Sequence, residues 1–203
     1  MTSTEHTATI ANTGNQLARR AMIDSQLRPS GVNEPWVLAA MASLPREDYV
    51  PEAARPLAYI DRAVPLGDGR FLAPPLAHGR MLAEAAPTTA DHALLVSSGS
   101  EYLAALLRPL VGSLTVVDAS SVANGVPGGS YSLIVIDGAI EVLPDALANA
   151  LADGGRIVSG LVERGVTRLG SGRKAAGAVA LIAIADIGIP VLAEFAAPRR
   201  WSF

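Results

Sequence analysis

Two aspartates and a turn of small residues are the groups in this sequence best placed to do chemistry. Asp118 follows the mostly apolar run 114–117, and Asp137 follows the apolar run 133–136. The turn Ser97–Glu101 follows a third apolar run and precedes a helical pattern. In a parallel α/β sheet such a turn offers backbone N–H groups to an anion, and an acid after the next strand accepts hydrogen bonds from ribose hydroxyls. The predicted cofactor contacts are Ser97, Gly99, Asp118 and Asp137.

Each of these groups also has a structural interpretation, and the sequence leaves both open. The turn is also explained as a plain strand–helix connection with Ser100 as the N-cap. Asp118 is also explained as a solvated acid at a strand end, and Asp137 as a cap for the turn that follows it. Ser97 and Glu101 replace glycines of a glycine-rich turn. Ser97 adds a side chain where a ligand would approach, and the Glu101 carboxylate favours the helix N-terminus but repels an anionic ligand.

Alternating strands and helices surround these groups and predict the fold class. The predicted strands are Ala93–Val96, Ser113–Asp118, Tyr131–Asp137, Arg156–Ser159, Ala178–Asp186 and Ala196–Phe203. Strands that alternate with helices predict an α/β fold with a Rossmann-like, doubly wound parallel sheet. We expect residues 1–75 to form an N-terminal helical extension that also lines the cleft. Residues 76–203 are expected to form the Rossmann-like domain, and the two together one compact unit.

The link between the second and third predicted strands is unusually short. It runs from Ala119 to Tyr131, which is 13 residues rich in Gly, Ser and Asn. A crossover that carries a helix needs about a dozen residues by itself. We therefore predict a direct crossing, with one edge strand of the usual sheet absent and the second strand left at the sheet edge.

Composition excludes several classes of protein. The chain has 203 residues, half of them hydrophobic, a net charge of −3 and no cysteine. The negative charge argues against a nucleic-acid partner, and no apolar run is long enough to span a membrane. Three scattered histidines give no metal-ligand spacing. We expect a cytoplasmic protein without a bound metal.

Five N-terminal motifs carry a family resemblance. They are Met22–Arg28 (MIDSQLR), Val37–Met41 (VLAAM), Pro45–Pro51 (PREDYVP), Leu57–Asp61 (LAYID) and Pro65–Arg70 (PLGDGR). In this order and spacing, over roughly residues 16 to 160, the chain is similar to protein-L-isoaspartate O-methyltransferases. The resemblance implies S-adenosylmethionine as cofactor and transfer of its methyl group to the carboxylate of isoaspartyl residues. Partners would then be isoaspartyl-containing proteins or peptides.

The chain departs from that family's pattern at four places. Ala73 stands where the family has a serine or threonine before a proline, so no catalytic residue is assigned. Leu95 replaces an acid of the first strand, Ser97 and Glu101 replace glycines, and most of the segment expected to hold adenine is missing. The resemblance thus implies a degraded cofactor site and a degraded catalytic site.

The alternative function is a catalytically inactive binding or assembly module, with self-association through the exposed sheet edge. An NAD-dependent oxidoreductase is disfavoured by the poor glycine fingerprint.

Four basic or titratable side chains complete the candidates. His78 matches a position that is often histidine in the family, and it is explained either as an acid–base group or as a packing residue. Arg46, Arg62 and Arg70 flank the predicted cleft, where a guanidinium would attract a carboxylate substrate. Surface arginines are common, so the alternative interpretation is that these three are ordinary solvent-exposed side chains.

Overall fold

The structure is a computed structural model that describes residues 13–198. Its N-terminal part is helical, as the sequence predicts. Residues 13–22 form helix α1, which continues as one π-helical turn, Ile23–Leu27. The next helical segments are α2 (Pro35–Ser43) and two 3₁₀ helices, Arg46–Tyr49 and Glu52–Leu57. Within the described range no helix is long and apolar enough to cross a membrane.

A small hairpin leads from these helices to the sheet. Strands β1 (Val64–Gly67) and β2 (Arg70–Leu72) pair antiparallel. Asp68 and Gly69 turn the chain between them, with φ of 51° and 73°. Helix α3 (Pro75–Ala85) follows and begins on a proline, since proline fits the first helical position.

Six strands form one mixed sheet in the order β4-β3-β5-β6-β7-β8. The strands are β3 (His92–Ser97), β4 (Ser113–Asp118), β5 (Tyr131–Ile140), β6 (Leu151–Glu163), β7 (Val166–Ala175) and β8 (Ala178–Asp186). Helix α4 (Tyr102–Leu107) follows β3, and helix α5 (Asp145–Ala150) connects β5 to β6. The predicted α/β arrangement is therefore present, with helices between parallel strands.

The prediction of a wholly parallel sheet is wrong for its last third. Strands β4, β3, β5 and β6 are parallel, but β7 and β8 run antiparallel as two hairpins. The predicted strand Arg156–Ser159 covers only the middle of β6, and no predicted strand corresponds to β7. Two-residue turns make these hairpins, Arg164-Gly165 and Ala176-Gly177, and all four residues have positive φ. Such turns match the twist of adjacent antiparallel strands.

The short link after β4 behaves as predicted. Residues Ala119–Asn124 form a 3₁₀ helix, and the chain then enters β5 without a further strand. β3 pairs with β4 on one side and with β5 on the other. Among the described strands, β4 is therefore at the edge of the sheet, which confirms the predicted loss of an edge strand.

Two apolar layers enclose the sheet. Leu94 and Val96 pack on the face that α5 covers, whereas Leu95 packs on the face that α3 and α4 cover. This alternation follows from the two-residue period of a strand. Leu95 is fully buried, so the position that would carry an acid in the family is part of the core here.

The chain after β8 crosses the carboxyl end of β5, and we call residues Pro190–Phe195 the C-terminal strap. The N–H of Ala139 donates to the Pro190 carbonyl oxygen (2.7 Å), and the N–H of Leu192 donates to the Ala139 carbonyl oxygen (2.9 Å). Two side chains of the strap itself, Leu192 and Phe195, are buried. Of the predicted last strand, Ala196–Phe203, residues 196–198 are irregular and the rest lie outside the described residues.

Gly138 provides the space in which the strap rests, and replacing it is expected to loosen the strap. A Cβ added at Gly138 would lie 2.5 Å from Leu192 Cγ. We expect Gly138→Ala to cost about 1–3 kcal/mol of unfolding free energy through overpacking. Amide exchange at Leu192 should accelerate in this variant. Gly188→Ala is the matched control, because an added Cβ there meets no atom within 4 Å. Equal exchange in both variants would contradict the prediction.

Candidate functional site

The turn between β3 and α4 is closed by its own side chains. The Ser97 hydroxyl donates to the Ser100 carbonyl oxygen (3.2 Å) and accepts from the Gly99 N–H (3.1 Å). Ser97 is buried, so its side chain folds into the turn and does not fill the space above it. Gly99 has φ of 102°, a conformation strained for any residue with a Cβ. The glycine that remains in the turn is thus the one that its backbone requires.

Helix α4 itself offers little to an anion. It spans six residues, and its N-cap Glu101 makes no side-chain capping bond. The predicted N-cap, Ser100, lies one residue earlier, yet its hydroxyl accepts from the Tyr102 N–H (3.2 Å). Fewer than two helical turns supply only a small dipole. The backbone N–H groups of the turn, and not the helix dipole, are therefore the groups at this position that suit an anion.

Asp118 lies at the carboxyl end of β4, as predicted. Its Oδ1 accepts from the N–H of Ser120 (2.8 Å) and from the Ser120 hydroxyl (2.6 Å). The same oxygen lies 3.3 Å from Arg70 Nη2. The Ser120 hydrogen bonds, with the Arg70 charge, lower the pKa of Asp118. Its side chain is 46% exposed, so the ionised carboxylate also faces solvent.

Arg70 links three parts of the protein. It begins β2, and its Nη2 lies 2.6 Å from Glu194 Oε1 of the strap and 3.3 Å from Asp118 Oδ1 at the end of β4. One guanidinium can form a charge-assisted contact with each of two carboxylates. The hairpin, the strap and the sheet edge are therefore joined at one guanidinium.

A cleft of about 170 Å³ opens beside this ion group. Its lining residues come from the hairpin, the β3 turn and the strap: Asp68, Gly69, Arg70, Phe71, Ser98, and residues 190–194. Open α/β sheets bind ligands at the carboxyl ends of their strands. The cleft lies at that edge, between the tip of the β1–β2 hairpin and the strap.

Beneath the cleft runs a buried chain of hydrogen bonds, which we call the relay: Arg46, His78, Asp137 and Ser98. Ser98 Oγ donates to Asp137 Oδ2 (3.0 Å), and Asp137 Oδ1 lies 2.9 Å from His78 Nε2. Arg46 Nη1 lies 3.0 Å from His78 Nδ1. Since a guanidinium can only donate, Nδ1 must accept, and the histidine proton sits on Nε2. His78 is thus neutral between a cation and an anion.

Burial sets the protonation of the relay. All four side chains are buried, with at most 2% of each residue exposed. Burial lowers the pKa of His78, because the protonated ring would lie in the core beside the Arg46 charge. Burial also lowers the pKa of Arg46, whose guanidinium stacks 4.8 Å from the Tyr102 ring centroid. The predicted acid–base role of His78 would require a ring that reaches solvent, and this ring does not.

Arg46 also binds the backbone at Ala73, the position where the family has a hydroxyl side chain. Its Nε donates to the Ala58 carbonyl oxygen (2.7 Å), and its Nη2 donates to the Ala73 carbonyl oxygen. Ala73 is 1% exposed, so its methyl group is part of the core. Ser98 lies nearby, since its hydroxyl is 3.4 Å from the Phe71 carbonyl oxygen. The hydroxyl that reaches the cleft therefore comes from the β3 turn.

The structure brings together some of the predicted site residues and separates others. Asp137 joins His78 and Arg46 in the relay, while Asp118 joins Arg70 at the rim of the cleft. Both oxygens of Asp137 are occupied by side chains. Its predicted contact with a cofactor stays a prediction, and the carboxylate reaches the cleft only through a neighbouring hydroxyl.

Three further residues change the predicted picture. Arg62 is exposed and does not line the cleft, so of the three candidate arginines only Arg70 does. Ser98 and Glu194 line the cleft and were not singled out. Ser98 lay inside the predicted turn and was detectable there, whereas nothing in the sequence marks Glu194.

Comparisons with known proteins agree on one family. The family model for protein-L-isoaspartate(D-aspartate) O-methyltransferase matches residues 18–123. Protein-L-isoaspartate O-methyltransferase 1 of Rhodopseudomonas palustris is 32% identical over 165 residues, which cover 69% of this chain and 67% of the relative. The Koribacter versatilis enzyme is 32% identical over 171 residues, or 72% of this chain and 77% of the relative.

Solved structures show the same fold. A Plasmodium falciparum protein described as a protein-L-isoaspartate O-methyltransferase, in complex with S-adenosyl-L-homocysteine, superposes with a TM-score of 0.70. It is 16% identical, and the match covers 89% of this chain and 98% of that one. A second protein-L-isoaspartate O-methyltransferase gives a TM-score of 0.68 at 14% identity, over 88% of this chain and 67% of that one.

Proposed function

Because this chain belongs to the protein-L-isoaspartate O-methyltransferase family, we propose that it binds S-adenosylmethionine and methylates the carboxylate of isoaspartyl residues in damaged proteins. The observation that supports this most is the cleft at the carboxyl edge of the sheet. There a guanidinium, Arg70, and a hydroxyl, Ser98, lie beside the turn that follows β3. That edge is where this architecture binds nucleoside ligands.

The residues at this edge fit the cofactor in chemistry, and the cleft is small for it. The backbone at Gly99 is exposed, and the Asp118 carboxylate is half exposed at the strand end, where ribose hydroxyls would donate to it. Ser97 and Gly99 would place turn N–H groups against the cofactor, and Asp137 would act through Ser98. The cleft volume of about 170 Å³ is below the roughly 300 Å³ at which ligand pockets begin. Because none of Ser97, Gly99, Asp118 and Asp137 lines the cleft as it stands, we expect the strap or the hairpin to shift when the cofactor binds.

The chemistry needs little from the protein beyond positioning. When bound, S-adenosylmethionine supplies an electrophilic methyl group, which a carboxylate oxygen accepts. The carboxylate is already an anion, so no general base is needed, and the alanine at position 73 does not by itself preclude transfer. Arg70 would orient the anion by charge, and the relay would keep the Ser98 hydroxyl fixed in the cleft wall.

Loss of the Asp118 carboxylate is expected to weaken cofactor binding. Removing an ionised hydrogen-bond acceptor of the ribose should lower the affinity for S-adenosylhomocysteine by roughly 10- to 100-fold in Asp118→Ala. Calorimetric titration measures this affinity. Asp186→Ala is the control, because Asp186 also ends a strand and pairs with an arginine, Arg168 (2.6 Å). Unchanged affinity in Asp118→Ala would contradict the ribose assignment.

Transfer of labelled methyl to an isoaspartyl peptide tests the activity itself. We expect incorporation into the isoaspartyl peptide and none into the same peptide with normal aspartate. If the wild-type chain shows neither heat with S-adenosylhomocysteine at millimolar concentration nor methyl transfer, the proposed activity fails.

A non-catalytic assembly module is the second candidate, and the last strand favours it. In β8 the eight residues Ala178–Ala185 carry no charge and no proline, and Ile182 and Ile184 are 65% and 40% exposed. Natural edge strands usually carry charged residues or proline, which prevent pairing with another chain, and this run has neither. Self-association through this edge, or through β4 as predicted from the sequence, would cover it. Sedimentation velocity tests this: a strict monomer at high concentration that transfers methyl normally rules it out.

A further inference from the structure

We propose that Arg70 binds the carboxylate that accepts the methyl group, and that Glu194 of the strap competes with that carboxylate for the guanidinium. This inference rests on the proposed methyl transfer for the identity of the ligand.

The charge of the cleft singles out Arg70. Among the described residues that line it, Arg70 is the one cation, and Asp68 and Glu194 are the acids. The other polar side chain of the lining is the buried hydroxyl of Ser98. A negatively charged acceptor group entering this cleft can therefore be paired by charge only at Arg70.

The guanidinium retains free donors for such a group. Both of its carboxylate contacts use the same atom, Nη2. Within residues 13–198, Nε and Nη1 make no hydrogen bond, although a guanidinium has five N–H donors. A carboxylate pairs with two donors along the Nε–Nη2 edge or the Nη1–Nη2 edge of a guanidinium, and both edges include the nitrogen that Glu194 contacts. Arg70 is also 23% exposed, so a ligand can reach it.

Glu194 supplies a carboxylate from within the chain. Its Oε1 lies 2.6 Å from Arg70 Nη2, and its side chain is 26% exposed. The strap bonds at Ala139 and Leu192 hold its backbone at this place. A tethered group competes at a high effective concentration, so an external carboxylate binds Arg70 only by displacing it. The same displacement would widen the cleft, which in this arrangement is too small for a cofactor.

The ion pair with Glu194 is a good target for mutation because it contributes little to folding. Partly exposed pairs of this kind are screened by water and stabilise a protein only slightly. Glu194→Gln keeps the shape of the side chain and removes its charge. The matched control is Glu163→Gln, because Glu163 Oε2 also lies 2.6 Å from an arginine, Arg168 Nη1, and lines no part of the cleft.

The experiment measures binding of an isoaspartyl peptide to the full chain with S-adenosylhomocysteine present, by calorimetry. We expect Glu194→Gln to bind the peptide roughly three- to fivefold more tightly than wild type. Glu163→Gln should match wild type. A peptide whose acceptor carboxylate is replaced by an amide should show no gain. Arg70→Gln should lose binding, and adding Glu194→Gln to it should restore nothing.

Different outcomes separate this inference from the proposed activity. If wild type transfers methyl but Glu194→Gln leaves the peptide affinity and KM unchanged, competition by Glu194 is refuted and the activity stands. If no variant transfers methyl yet Glu194→Gln still gains carboxylate affinity through Arg70, the activity fails and the site stands. An equal gain for the amide peptide, or no peptide binding in any variant, overturns the inference. Urea unfolding of Glu194→Gln, expected at the wild-type midpoint, verifies that the fold is intact.

Discussion

Replacing Arg46 by methionine is expected to destabilise the protein by about 3–5 kcal/mol. The guanidinium is fully buried and neutralises the carboxylate of Asp137 through His78. Its removal leaves that carboxylate in the core without a cation. It also leaves the carbonyl oxygens of Ala58 and Ala73 without their donor. Methionine fills most of the volume, so the loss reports charge and hydrogen bonding more than packing.

Urea unfolding at neutral pH measures this effect, with the midpoint and slope compared between variants. Arg62→Met is the control, since it removes the same charge from an exposed position. We expect the control to change the unfolding free energy by less than about 0.5 kcal/mol. If Arg46→Met unfolds at the wild-type midpoint, the relay does not carry a buried ion pair.

The stability of the protein is expected to fall as the pH is lowered below about 6.5, and His78 is expected to be responsible. Burial lowers the pKa of His78 in the folded state, where Arg46, Asp137 and the Tyr102 ring face it. Between that lowered pKa and the unfolded value of about 6.5, the unfolded chain binds a proton that the folded chain does not. Each pH unit of this window therefore costs up to about 1.4 kcal/mol.

Comparison of variants isolates this contribution. His78→Gln is less stable at every pH, but its unfolding free energy should fall less steeply between pH 7 and pH 5 than that of wild type. His92→Gln should keep the wild-type slope, because His92 is exposed and stacks on Tyr131 away from the relay. Identical slopes for wild type and His78→Gln would show that folding does not shift the pKa of His78.

The parallel part of the sheet was predictable because each strand is a local signal. Strand β4 matches its predicted range, and β3 and β5 extend theirs by a few residues. The direct crossing followed from chain length alone, since 13 residues cannot supply a helix and a strand. In contrast, β7 is polar and glycine-containing, and five of the seven residues Arg168–Lys174 are basic or glycine. Its turn signals, Arg164-Gly165 and Ala176-Gly177, were the detectable evidence for two hairpins.

The candidate site was predictable only in position. Placing Asp118 and Asp137 at the carboxyl edge followed from strand order. The direction of each side chain did not, because it depends on residues far along the chain: Arg46 lies 32 positions from His78, which lies 59 from Asp137. No periodicity joins such residues. The partners of Arg70 are similarly remote, with Asp118 at 48 positions.

The relay has a consequence for how the protein can be divided. Its cation belongs to the N-terminal helical segment, whereas its imidazole and carboxylate belong to α3 and β5. A fragment beginning at α3 would keep a buried carboxylate with no counterion, and a fragment ending before it would keep a buried guanidinium with no acceptor at one nitrogen. Neither segment is therefore a transferable module. Grafting the sheet onto another N-terminal segment would require that segment to deliver one arginine to one imidazole nitrogen.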